Sequence, residues 1–252
     1  MNTLLINLPD AVSDGSIRRI NEVRFEIGSG ASEEAKKAIA LAVTAPGKIR
    51  CPDGHMYYNN PGGIPGTVPL AENALSGNGN TIYWWFATPG SHVLISPKSN
   101  ITRLVSLTSI LKGDFSQLKY TPTLLELDLG QETDPALTGS IEDISQDSLD
   151  NITSFKVRGP GVFGNISCLG ENTHLENFTI NGTDCTGDIT SLAKCIALQQ
   201  VRFNNTNVTG NVDDLANELF ANGRISGTLQ HIYDSAGSAV VYTFTSEGWT
   251  KA

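Results

Sequence analysis

The stretch DCTGDITSL at residues 184–192 returns as NVTGNVDDL at residues 207–215, so that Thr186, Gly187, Ile189 and Leu192 recur 23 residues later as Thr209, Gly210, Val212 and Leu215. A repeat of this length constrains the fold more than any other feature, because self-similarity at a fixed period of about 20–50 residues marks stacked units. Extended in both directions, the pattern gives five units starting at Ile101, Leu124, Ile152, Leu175 and Leu198, with intervals of 23, 28, 23 and 23. Apolar residues keep fixed offsets within a unit. The fourth reads Leu175, Phe178, Ile180, Cys185, Ile189 and Leu192; the fifth reads Leu198, Val201, Phe203, Val208, Val212 and Leu215. The third has Ile152, Phe155, Val157, Val162, Ile166 and Leu169, and the first keeps Leu104, Leu111, Phe115 and Leu118 although Ser106 interrupts it.

A glycine follows the start by 12 residues at Gly113, Gly164, Gly187 and Gly210, while the second unit delays its glycine to Gly139. The extra residues of that unit lie around GQETDPA, a polar, proline-containing insertion of the kind expected in a surface loop. Each unit opens with a period-2 alternation such as LENFTI or LQQVRF, the mark of a strand with one buried face. A polar turn, the glycine and a second short apolar piece follow. One unit cannot bury its own apolar edge; stacked copies bury a continuous core.

The units resemble leucine-rich repeats, closest to the type L-x-x-L-x-L-x-x-N-x-L-x-G-x-I-P-x-x-L, over residues 101–220. They depart from it where Ser109, Thr183, Thr206 and Pro160 replace the asparagine after the strand, and where the proline after G-x-I is absent. A threonine still hydrogen-bonds backbone, so the turn is expected to survive. The expected architecture is an α/β-type solenoid of five repeats with four segments: a small α+β attachment domain at 1–75, a cap hairpin at 76–100, the repeats at 101–220, and a C-terminal β-hairpin cap at 221–252. In the N-terminal part, TLLINLP and EVRFEIG suggest strands. SEEAKKAIALAV suggests a helix capped by Ser32, with Ala35, Ala38, Ile39 and Ala42 on one face. TIYWWFAT and HVLISP suggest a hairpin over PGS, and TLQHIYDSAGSAVVYTFTSEGW suggests another with SAGSA as its loop.

Charge excludes some partners. At a net charge of −9, with no basic run longer than the pair Arg18-Arg19, the chain is not expected to bind nucleic acid. No apolar stretch approaches the roughly 20 residues of a membrane helix, so membrane insertion is not expected either. The start MNTLLINLPDAVSDG has no basic leader pattern, and a secretory precursor is not expected. Four cysteines without paired spacing do not form a disulfide framework. Seven N-x-S/T sequons read as structural use of Asn and Thr rather than as glycosylation sites.

Candidate chemistry is sparse. Gly28-x-Gly30 before a helix pattern has Glu33 and Glu34 where a pyrophosphate would sit, which excludes a dinucleotide site on charge. Cys51, Asp53 and His55 lack further ligands at zinc spacing, so no metal site is assigned; a Cys51/His55 nucleophile pair stays as an alternative to a turn at PDG. Cys185 and Cys195 are read as core residues, and His174 and His231 have no partner at a telling spacing. Adjacent Trp84 and Trp85 suggest a domain junction, with a glycan platform as the weaker reading.

In leucine-rich repeat proteins the concave sheet commonly binds a protein, and the offsets place three columns on that face here. They run Arg103, Glu126, Ser154, Asn177, Gln200; Val105, Asp128, Lys156, Thr179, Arg202; and Leu107, Gly130, Arg158, Asn181, Asn204. No catalytic constellation occurs in them and no cofactor is expected. The expectation is a non-catalytic display or binding protein whose partner is a larger assembly or copies of itself, a bacteriophage virion component such as a capsid decoration or fibre subunit. The alternatives are a secreted or cell-surface bacterial adhesin and an enzyme with a Cys51/His55 site.

Overall fold

The computed structural model describes residues 23–27, 38–43, 45–50, 56–58, 72–77, 82–86, 92–96, 98–106, 111–132, 135, 137–144, 146–234 and 236–252. Mostly parallel strands in two sheets build the fold, with few helices. In the repeat region each unit contributes one strand to each sheet. The longer sheet takes β8 (Ile101–Ser106), β10 (Glu126–Leu129), β12 (Ser154–Val157), β14 (Asn177–Thr179) and β16 (Gln200–Arg202). The shorter sheet takes β9 (Leu111–Asp114), β11 (Leu137–Ser140), β13 (Gly161–Asn165), β15 (Asp184–Asp188) and β17 (Asn207–Thr209). Every neighbouring pair within these two sets is parallel.

The register follows the period. Arg103, Glu126, Ser154, Asn177 and Gln200 are successive Cα partners, separated by 23, 28, 23 and 23 residues. Leu104, Leu127, Phe155, Phe178 and Val201 form the next row and are all fully buried. Phe155 and Phe178 stack with ring centroids 6.4 Å apart. A one-residue slip would turn this whole row to the outside, so burial fixes the register. Each buried leucine or phenylalanine contributes about 1.5–3 kcal/mol.

After β9, β11, β13 and β15 the chain enters a short 3-10 turn, and the residue just after the repeat glycine caps it. Asp114, Ser140, Asn165 and Asp188 accept from the backbone N–H two residues on, and Asn211 accepts from Asp214 at the start of the helix Val212–Ala221. These caps touch the next unit. Gly187 has φ +113°, and a Cβ there would stand 2.6 Å from Asn165 Oδ1. The same placement recurs with Gly139 on Asp114, Gly164 on Ser140 and Gly210 on Asp188. Thr183 and Thr206 serve the turns that follow the longer sheet, donating to Ile180 O (2.7 Å) and Phe203 O (2.8 Å).

A second set of polar contacts ties the back of each unit to the one before. Ser148 Oγ donates to Thr121 O, Asn172 Nδ2 donates to Leu149 O (2.8 Å) and Ile152 O (2.7 Å), and Cys195 Sγ donates to Leu169 O (3.5 Å). Arg224 closes the series by donating to Leu198 O and to Thr228 O (2.7 Å) while stacking over Phe244.

The N-terminal strands extend both sheets. They are β1 (Val23–Ile27), β2 (Ala38–Val43), β3 (Gly47–Arg50), β4 (Met56–Tyr58), β5 (Glu72–Leu75), β6 (Ile82–Phe86) and β7 (His92–Ser96). The shorter sheet continues from β9 through β1, β7 and β3 to β5; the longer continues from β8 through β2 and β6 to β4. Two expectations are corrected. Residues 38–43 form β2, not the second half of a helix. Ile39, Leu41 and Val43 alternate with alanines, and ladders to β8 and β6 outweigh the weak helix preference of a short alanine-rich segment. Strands β6 and β7 are not a hairpin, because they lie in different sheets. β6 pairs with β2 and β4, β7 with β1 and β3, and each strand thereby gains two ladders in place of one.

At the other end, β18 (Thr228–Ile232) pairs parallel with β16, and β19 (Ala239–Thr245) and β20 (Gly248–Lys251) follow antiparallel. Cys51, Asp53, His55, Ser32, Leu107, Ser109 and residues 1–22 lie outside the described residues.

Candidate functional site

The outward face of the longer sheet carries the columns that the spacing lines up, and its ladder extends one strand further through Gln200 to Gln230. Rigid parallel pairing sets the positions; the side chains then pair among themselves. Arg103 meets Glu126 at 3.1 Å, Arg158 Nη1 meets Asp128 Oδ1 at 2.6 Å, and Arg202 stands 3.7 Å from Glu132. Such partly exposed pairs contribute about 0–1 kcal/mol each and serve more to hold side chains in place. The Lys156 side chain makes no ion pair or hydrogen bond among the described residues.

The surface is narrower than the offsets suggest. Thr179 and Asn181 are 3% and 0% exposed, so neither is an open contact residue. Asn181 Nδ2 donates to Glu132 Oε1 at 2.7 Å, and Asn181 Oδ1 accepts from Asn204 N at 3.1 Å. Arg202 donates to Asp234 O at 3.2 Å. Asn204, with its amide turned so that both ends are satisfied, donates to Tyr233 O (3.1 Å) and accepts from Asp234 N (3.2 Å). The C-terminal side of this face is thus bound up with the chain's own turns. Arg103, Glu126, Asp128, Lys156, Arg158, Asn177, Gln200, Arg202 and Asn204 remain half-exposed.

Glu132 is the residue that pattern reading missed. It belongs to the insertion of the second unit, which looks like an independent surface loop, yet it reaches the fourth and fifth units. Nothing in its local sequence announces that reach. The cap column was readable: Asp114, Ser140, Asn165, Asp188 and Asn211 each follow the repeat glycine and are all capping types.

The thiols of Cys168, Cys185 and Cys195 are held protonated at neutral pH. Burial pushes Cys168 and Cys195 up to about 12 and Cys185 up to about 11. Trp84 and Trp85 lie on β6, whose side chains are outside the described residues. His174 is exposed, whereas His231 stacks on Phe203 with centroids 5.2 Å apart. No group of three or more His, Cys, Asp or Glu that could hold a metal occurs among the described residues. No helix among them is long and apolar enough to cross a membrane. No protein-family model, curated protein or solved structure matches the chain.

Proposed function

We propose that the chain is a non-catalytic structural and binding protein: a five-unit leucine-rich repeat solenoid whose sheet face is displayed by an N-terminal attachment region and closed by a C-terminal cap. The observation that carries the reading is the register of the parallel ladder. It arrays Arg103, Glu126, Ser154, Asn177, Gln200 and Gln230 as one row at fixed strand spacing, with ion pairs limiting side-chain motion. A preset polar surface of this kind suits recognition of a protein, since little side-chain freedom is lost on binding. The low fraction of charged residues, 17%, and the abundance of Asn, Thr and Gly favour a subunit of a bacteriophage particle as the setting, with the partner another virion protein or a further copy of this chain.

The test is the mass of the native complex by light scattering on material from its source. A fixed stoichiometry within a large particle is the expected result. A free monomer there would exclude the virion role and leave the binding role to be met by a soluble partner.

A further inference from the structure

Two donors on the sheet face converge on one carboxylate. Asn181 is fully buried, and the backbone N–H of Asn204 holds its Oδ1 at 3.1 Å, so the orientation of the amide is fixed and its nitrogen faces Glu132 at 2.7 Å. Arg202 is positioned separately, through its bond to the Asp234 carbonyl at 3.2 Å, and lies 3.7 Å from the same carboxylate oxygen. Its Nε is buried with no hydrogen-bond partner among the described residues. Glu132 comes from a segment two units away, and Gly182 makes room for it: a Cβ at Gly182 would stand 2.6 Å from the Glu132 carbonyl oxygen. No backbone hydrogen bond joins Gln131 or Glu132 to the units beneath among the described residues, so the carboxylate is the anchor.

As a staple the ion pair is weak. The paired side chains of Arg202 and Glu132 keep 23% and 29% of their surface open to water, and at 3.7 Å solvent screens the pair. As a recognition site it is well made, because both donors are preset by partners of their own and do not depend on Glu132. We propose that Asn181 and Arg202 form a carboxylate-recognition site that Glu132 fills in cis, and that an acidic segment of a partner protein takes the site by displacing Glu132. Charge complementarity selects that partner. Lys156 stands in the same ladder row as Arg202 with Thr179 between them, and its ammonium is unpaired among the described residues. This proposal rests on the sheet face being the partner face.

The experiment uses the full chain and a fluorescein-labelled hexaglutamate peptide read by anisotropy. E132Q keeps the shape of the internal occupant and removes its charge, so it should bind the peptide about tenfold more tightly than the wild type, the scale of one charge-assisted hydrogen bond. R202M in the E132Q background should return affinity to the wild-type level or below. Equal binding by wild type and E132Q, or no effect of R202M, overturns the site. If E132Q disturbs the fold, carbon-13 NMR of the Glu132 carboxyl in the wild type replaces it: saturating peptide should move this resonance toward that of a free glutamate, and an unchanged resonance overturns the displacement. Particle mass is independent of all three readouts, so failure of the assembly role and failure of this site remain distinguishable.

Discussion

Replacing Gly187 with alanine tests how one unit is keyed to the next. The backbone there has φ +113°, a conformation that costs an L-residue about 1–2 kcal/mol. The new Cβ would also stand 2.6 Å from Asn165 Oδ1 and 3.0 Å from Ile166 Cγ1. Asn165 must then swing away, losing its 2.9 Å bond from Ser167 N, and loss of a cap costs about 1 kcal/mol. The sum is about 2–3 kcal/mol, measurable as a shift in urea midpoint at constant slope. A second measurement isolates the mechanism. Asn165→Ala alone should cost about 1 kcal/mol, and adding G187A to it should cost only the backbone strain, so the pair falls short of additivity by about 1 kcal/mol. Strict additivity would refute the cap-on-glycine contact, and a G187A loss under about 0.5 kcal/mol would refute the strain.

Three further outcomes follow from other parts of the fold. Arg224→Met leaves the carbonyls of Leu198 and Thr228 without their donor at a 5% exposed site and should cost about 2–5 kcal/mol in urea unfolding; a loss below about 1 kcal/mol would show that the guanidinium is not the cap of the last unit. Cys185 and Cys195 should resist a disulfide reagent at mildly alkaline pH in the native protein and react once it is unfolded, and native labelling of either at a free-thiol rate would contradict their burial. His231 is depressed below its ordinary 6.5 by burial and then by Lys251, with Asp213 opposing, so folding releases its proton. Its contribution is complete above that value and declines as pH falls through the folded pKa, and His231→Phe should flatten this slope in a midpoint series from about pH 8 to about 5 while keeping the stack on Phe203. Asp213, lowered chiefly by the hydrogen bond from Lys251 and next by that from Tyr242, keeps its contribution above 3.8 and loses it only in stronger acid, so the two groups act in separate windows.

The parallel ladders are legible in the sequence because each buried row repeats an apolar residue at one offset: Phe155, Phe178 and Val201 face the core in the same place, and a change of period would break all of them together. The insertion is legible as a shift of phase but its purpose is not, because the bond from Asn181 to Glu132 spans 49 residues and depends on how far a short loop reaches over two units. Offsets alone place Thr179 and Asn181 on the open face; burial at the end of a short strand depends on what lies above it, which offsets do not carry. Residues 38–43 differ for another reason. Two periodicities coexist in AIALAV, and only pairing with β6 and β8, both distant in sequence, selects the strand.

A stack of parallel strands has a problem at each end, since the last strand exposes a row of unpaired N–H and C=O groups that can template another chain. The fold meets it by reversing direction. At the N-terminal end β2 lies antiparallel on β8 and β1 antiparallel on β9, so neither sheet offers a parallel repeat edge there. At the other end the fifth unit lengthens its turn into the helix Val212–Ala221, and Val212, Leu215, Ala216 and Leu219 bury one side of it against the last layer of the core. The antiparallel strands β19 and β20 then fasten onto that helix. Tyr242 and Lys251 donate to Asp213 at 2.7 and 2.8 Å, and Trp249 donates to Asn217 at 3.1 Å. These contacts use residue types that the repeat never places at the corresponding offsets. The fading of the pattern after Phe220 is therefore a consequence of closure in the longer sheet, where β18 to β20 turn the edge antiparallel; in the shorter sheet β17 stays the edge strand, and the helix, buried along one side, closes the core.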